Sequence, residues 1–256
     1  MEAGTVEKLQ DFPLDQVQIT DTYQQNLFTK DVTYLLTTLD SDRLMAGFLA
    51  VSQAVNPTNL YGGWEDSNIR GHTMGHWLSA VAHAYLQAVG SDATLAAQIK
   101  TKLDDVISKL KSYQLSSGFL FATPMSQFDD FDNGTGSTWV PYYTLHKILA
   151  GLIDVYEFEN NPDALTVASK LGDWLYTRAS GWSASQKSRV LSQEYGGSTM
   201  PYPRRWRQCV VGLVDLIVRV HGRWGARRGR LAGDRTAGRG VVLRRRRGSR
   251  ANQLTQ

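Results

Sequence analysis

The chain has 256 residues, 42% hydrophobic and 20% charged, an ordinary balance for a globular domain with a sizeable core. Its single cysteine, Cys209, excludes an internal disulfide framework and a cysteine-rich zinc site. The net charge of +4 averages two unlike parts: residues 1–203 hold 13 Lys+Arg against 22 Asp+Glu, whereas 204–256 hold 15 Arg, no Lys and 2 Asp. The basic character therefore belongs to the tail and says nothing about what the rest binds. No apolar run approaches the roughly 18 residues of a membrane span, since the nearest, "CVVGLVDLIV", is interrupted by Asp215. The opening "MEAGTVEKLQDF" lacks a basic start followed by an apolar stretch, so no secretory signal and no membrane partner are expected. As written the chain is expected to be intracellular, with the compartment otherwise open.

Five helices are expected between about residues 40 and 180. "DSDRLMAGFLAVSQAV" opens on capping Asp/Ser residues and sets Leu44, Phe48 and Val51 at helical spacing. "IRGHTMGHWLSAVAHAYLQAVG" follows. In "SDATLAAQIKTKLDDVISKLKSYQ", Ser91 is the expected N-cap, and Leu95, Ile99, Leu103, Ile107 and Leu110 form one apolar stripe. A Gly-, Ser- and Asp-rich loop is expected over 115–138. "VPYYTLHKILAGLIDVYEF" places Pro141 in the first turn, and "NPDALTVASKLGDWLYTRAS" has Asn161 as cap before Pro162. Segments near 17–20 and 119–122 are expected to pair as minor strands. Short and long loops alternate, which implies an all-α domain of helical hairpins packed side by side, a partial (α/α)6 toroid spanning residues 1–203. In such a fold the starts of the inner helices gather around one mouth.

Three of the five histidines, His72, His76 and His83, fall on one side of the second helix, with Ser79 between them. Such a row suits a metal, a sugar or a packed core. His72 and His76 have the four-residue spacing of a metal clip, but "HTMGH" lacks the Glu beside the first His that metalloproteases use. His83 lies nearly two turns further in and is expected in the core. Trp64 and Glu65 of "GGWE" can stack on a sugar ring and accept from its hydroxyls, with Arg70 pairing to Glu65. Asp129, Asp130 and Asp132 are expected in a solvated loop, although calcium also suits such a patch. Asn133–Thr135 is a glycosylation sequon that matters only on secretion. Tyr142, Tyr143, Trp174 and Tyr176 are expected to pack between helices, Tyr142 being the best placed for a pocket.

The tail from Arg204 on changes style. All-Arg basicity with Gly, Val and Trp is what a GC-rich gene yields when read out of frame. The codons TCA-ACG-ATG-CCN, one set that encodes Ser198–Pro201, spell Asn-Asp-Ala in the neighbouring frame. The other reading is a basic arm for an anionic partner, although binding of nucleic acid by it is not expected.

"YGGWEDSNIRGHTMGHWLSA", "WVPYYTLHKILAGLIDVYE" and "LSQEYGG" resemble the catalytic domain of family 127 glycoside hydrolases, the β-L-arabinofuranosidase-like proteins. The opening "FPLDQVQIT…YLLTTLDSDRLMAGF" also resembles that family, so the likeness covers residues 12–197. It implies hydrolysis of non-reducing terminal furanosyl groups, and hence a carbohydrate ending in arabinofuranose or a related sugar as partner. It also implies, in full-length relatives, a cysteine thiolate nucleophile held on zinc beside a glutamic acid. Those residues lie downstream of "EYGG" in the family. No catalytic residue and no metal ligand is therefore carried onto this chain, no cofactor is expected in it, and it is expected to be inactive as written. His72 and His146 match positions expected to hydrogen-bond sugar hydroxyls, a task that suits an imidazole's donor and acceptor. His76, Trp64, Glu65 and Tyr142 complete the expected sugar contacts. The rival reading is a non-catalytic carbohydrate-binding or scaffold protein whose tail recruits an anionic partner.

Overall fold

The computed structural model describes Phe12 and residues 14–194. Cys209, the segment 204–256 and Tyr195–Gly197 of "EYGG" lie outside the described residues. Eight α-helices are present among those described: α1 (Thr22–Thr33), α2 (Ser41–Gln53), α3 (His72–Val89), α4 (Ala93–Tyr113), α5 (Ser126–Asn133), α6 (Pro141–Glu159), α7 (Pro162–Ser180) and α8 (Ala184–Glu194).

Short polar side chains start most of them. Asp40 accepts from the backbone N–H of Asp42 and Arg43 at the head of α2, and Asn161 does the same for Asp163 and Ala164 at α7. The cap of α4 is Asp92, which accepts from Thr94 and Leu95, one residue after the expected Ser91. Leu44, Phe48, Ile99, Leu103, Ile107 and Leu110 turn inward as their spacing requires. A π-turn, Tyr34–Thr38, follows α1, and the Leu35 carbonyl in it accepts the Trp77 indole N–H at 2.9 Å.

The order of contacts along the helices gives their directions. Gly75 lies against Lys147 and Ile148, Gly151 against Gly75 and Leu78, and the His83 ring against Phe158, so α3 and α6 run parallel. Lys111 pairs with Asp163, and Gln114 donates to the Val167 carbonyl, so α4 and α7 run parallel too. The turns Gly90–Asp92 and Asn160–Asn161 return each chain from one layer to the other. This is an arc of an α/α toroid, with α3 and α6 in one layer and α4 and α7 in the other.

The minor strands are not found among the described residues. Residues 17–20 form a loop tied to the end of α3, where Gln87 donates to the Val17 carbonyl and Gln18 to that of Gly90. Phe119, Leu120, Phe121 and Ala122 are buried as an irregular insert, with Phe119 against Phe128 and Trp174. Packing on helices, rather than strand pairing, covers these apolar side chains. The expected loop 115–138 also contains a helix. In α5, Phe128, Phe131 and Asp132 form a buried face one turn long. No helix is long and apolar enough to cross a membrane among the described residues.

Candidate functional site

The start of α3 is held by a side chain six residues upstream. Gly71, with φ 97°, occupies the left-handed region that disfavours side chains, so the chain turns sharply into the helix there. Glu65 is buried beneath that turn and accepts from the N–H of Gly71 at 2.9 Å and of Thr73 at 3.2 Å. A carboxylate at this position satisfies orphan donors and complements the helix dipole. Burial alone would raise its pKa, but bonds from His72, Thr73 and Gly71 outweigh that and hold it below the usual range. Glu65 is thus engaged with its own backbone, and Arg70 binds the loop through the Glu65 carbonyl at 2.8 Å and the Asp66 carboxylate, not the Glu65 carboxylate.

The same geometry assigns the His72 tautomer. Its Nδ1 is 3.0 Å from the Ile69 carbonyl and 3.1 Å from Glu65 Oε1. Two acceptors around one nitrogen require a hydrogen on it, so neutral His72 carries its lone pair on Nε2. Among the described residues, the one group within hydrogen-bonding range of Nε2 is the Thr73 hydroxyl at 3.5 Å, a marginal contact, and the side chain is 16% exposed. An outside hydroxyl can therefore donate to Nε2.

The start of α6 repeats the device. Glu194, buried at the end of α8, accepts from the N–H of Tyr142 at 3.2 Å and of Tyr143 at 2.6 Å. Here burial wins over the two backbone bonds and, with Asp132 nearby, pushes the carboxyl from 4.5 up to about 7. The folded chain then keeps this proton after the unfolded chain has released it. Glu194 therefore makes stability fall as pH rises from 4.5 towards about 7. Glu194→Gln is expected to flatten that interval in denaturant titrations run across it; an unchanged slope would assign the effect elsewhere.

His146, the sixth residue of α6, is half-buried. Burial, with Lys147 and His76 nearby, lowers its pKa to about 4, so the ring is neutral at ordinary pH. His76 lies on the exposed side of α3, its ring 6.1 Å from that of His72. Burial of part of the ring and the charges of Lys147 and His72 lower its pKa as well. The structure thus brings His72, His76 and His146 together along the α3–α6 seam. Trp64 joins them at the helix-start end, 61% exposed. A shallow depression on α4, lined by Ala93, Thr94, Ala97, Gln98 and Thr101, carries no titratable group and no chemistry.

Four expectations change. Tyr176 is exposed on α7 and not packed between helices. Tyr142 is only 1% exposed, its ring set among Phe128, Phe131 and Trp182, and its hydroxyl donates to Asp132 at 2.7 Å. It is a core residue without access to a pocket. His83 is exposed rather than buried; its Nδ1 donates to the Ser79 carbonyl at 2.7 Å and its ring edges onto Phe158. Asp132 is not solvated but forms a buried ion pair with Arg178 at 2.8 Å and accepts from the Trp182 indole at 2.9 Å.

Two positions next to the seam escaped the reading of single residues. Glu194 stands in the quoted "LSQEYGG", but nothing in its neighbours reveals a partner 52 residues away. Trp139, in the quoted "WVPYYTLHK", meets Trp64 across the two lead-in loops. Its position just before a helix start was the available signal.

The described residues do not fit a zinc ion: no cysteine is among them, and no three His, Cys, Asp or Glu side chains are set to hold a metal. No curated protein matches the chain. A family model of the β-L-arabinofuranosidase GH127 catalytic domain matches residues 16–205, which include both glutamate caps and all the histidines of the seam. With well over half of its length matched, the chain belongs to the glycoside hydrolase family 127 β-L-arabinofuranosidase catalytic-domain family.

Proposed function

We propose that this chain binds a non-reducing terminal furanosyl group, of the β-L-arabinofuranose type, through His72 and His146. The observation that carries the reading is the parallel pair α3 and α6, each capped by a buried glutamate and each presenting a half-buried imidazole near its start. His72 offers an acceptor at Nε2, and neutral His146 offers one donor and one acceptor, a set that matches vicinal hydroxyls. Glu65 acts by positioning, since it holds the His72 ring and the first turn of α3. His76 lines the same seam.

The 256-residue chain is expected to bind this sugar without cleaving it. Its sole cysteine, Cys209, has no cysteine partner and no motif matching the family's nucleophile. Zinc-dependent release of the leaving group from an aryl arabinofuranoside would overturn that expectation. The rival, an arm for an anionic partner, rests wholly on 204–256; residues 1–203 carry 22 acidic against 13 basic side chains and would repel phosphates. Loss of salt-sensitive DNA or vesicle binding on deletion of that tail would favour the rival.

Calorimetric titration with arabinofuranosides tests the site. His72→Ala and His146→Ala are each expected to weaken binding roughly tenfold, the worth of one or two hydrogen bonds. Affinity is expected to fall as pH approaches the His146 value of about 4, where that ring gains its proton and loses its acceptor. Unchanged affinity in both variants would remove the sugar assignment.

A further inference from the structure

Trp64 and Trp139 are among the largest exposed apolar side chains described, 61% and 53% exposed, and they lie against each other. Their ring centroids are 5.9 Å apart and their planes 37° from parallel. Trp64 stands in the loop leading into α3, and Trp139 two residues before α6. The two loops are joined by the Asn68 amide, which donates to the Ser137 carbonyl at 3.1 Å. Two indoles left in water side by side forgo burial of large apolar area, which marks a binding surface. A ring sandwiched between them would need about 7 Å, two contact distances. The pair is too close for that, so its outer faces form one open shelf.

The shelf lies at the same end of the seam as the helix starts. His146 is five residues beyond Pro141, about 7.5 Å further along α6 at 1.5 Å per residue. One furanose held by His146 and His72 sits inside the line of the lead-in loops. Any group attached through its anomeric oxygen and pointing outward then meets the indoles. Tryptophan faces stack on the C–H faces of sugar rings. Asp66, exposed beside Trp64, disfavours an anionic occupant.

We propose that Trp64 and Trp139 form a platform for the sugar ring on the leaving-group side of the glycosidic bond. The ligand this surface takes is therefore at least a disaccharide. The assignment rests on the furanose reading above, and the test separates the two.

The full chain is titrated with methyl β-L-arabinofuranoside and with a disaccharide ending in a β-L-arabinofuranosyl group. The disaccharide is expected to bind the unmodified chain about tenfold more tightly, the scale of one stacked ring. Trp139→Ala removes most of that advantage and leaves the methyl glycoside within about twofold, Trp64→Ala also removes most of the advantage, and Trp139→Phe keeps part of it. His146→Ala weakens both ligands alike. Equal losses for both ligands in the tryptophan variants, or no loss for either, overturn the platform while the histidine site stands. If the unmodified chain binds neither ligand, the furanose reading fails and the platform falls with it.

Discussion

Gly75→Ala is expected to lower the unfolding free energy by about 3 kcal/mol or more, the upper end of the cost of overpacking. Helix propensity alone argues the opposite sign, since alanine exceeds glycine by about 1 kcal/mol inside a helix. The contact decides. A Cβ on Gly75 would stand 2.3 Å from the carbonyl carbon and oxygen of Lys147 and 2.6 Å from the Ile148 nitrogen. These are backbone atoms of α6, which can yield only if the two helices separate. Gly151 is equally tight, its added Cβ meeting the Gly75 carbonyl oxygen at 2.5 Å. Gly172 in α7 is the control, because nothing lies within 4 Å of its Cβ position. Gly172→Ala is expected to stabilise by up to about 1 kcal/mol. Denaturant unfolding of both variants checks the pair, and equal shifts of the same sign would refute the close approach of α3 and α6. Sugar affinity should fall in Gly75→Ala alone, since separated helices part His72 from His146.

Asp132→Ala should cost about 3–5 kcal/mol, enough to unfold a chain of ordinary stability. The carboxylate receives the Tyr142 hydroxyl at 2.7 Å, Arg178 Nε at 2.8 Å and the Trp182 indole at 2.9 Å. It therefore ties α5 to α6, to α7 and to the turn before α8. Its removal leaves a guanidinium only 15% exposed with the exposed Asp129 as its remaining carboxylate, and two further donors without their acceptor. Asp129→Ala breaks the other arm of the same arginine. That carboxylate is 60% exposed, so the loss should stay below about 1 kcal/mol. Similar midpoints for the two variants would show that Asp132 is not the centre of the network.

The helices from α2 to α7 show different degrees of legibility. The stripes of α2 and α4, with Asn161 before Pro162, could be read in order, because period and cap are local signals. α5 could not, since three aspartates in eight residues suggest water until Arg178, 46 residues away, supplies the partner that allows Asp132 to be buried. The candidate site divides in the same way. His72 and His146 stood out through their motifs. Tyr142 matched its motif equally well, yet its ring packs into the core because Asp132 receives its hydroxyl.

The amino-acid order by itself determined the all-α class, the hairpin rhythm, the family and the histidine motifs, because each is written within a few turns of chain. Tertiary structure alone decided which imidazole nitrogen carries the hydrogen, which glutamate caps which helix, and which tryptophans meet. Those outcomes depend on distances between segments tens of residues apart. They are set where Gly75 and Gly151, residues that weaken an isolated helix, let two backbones touch.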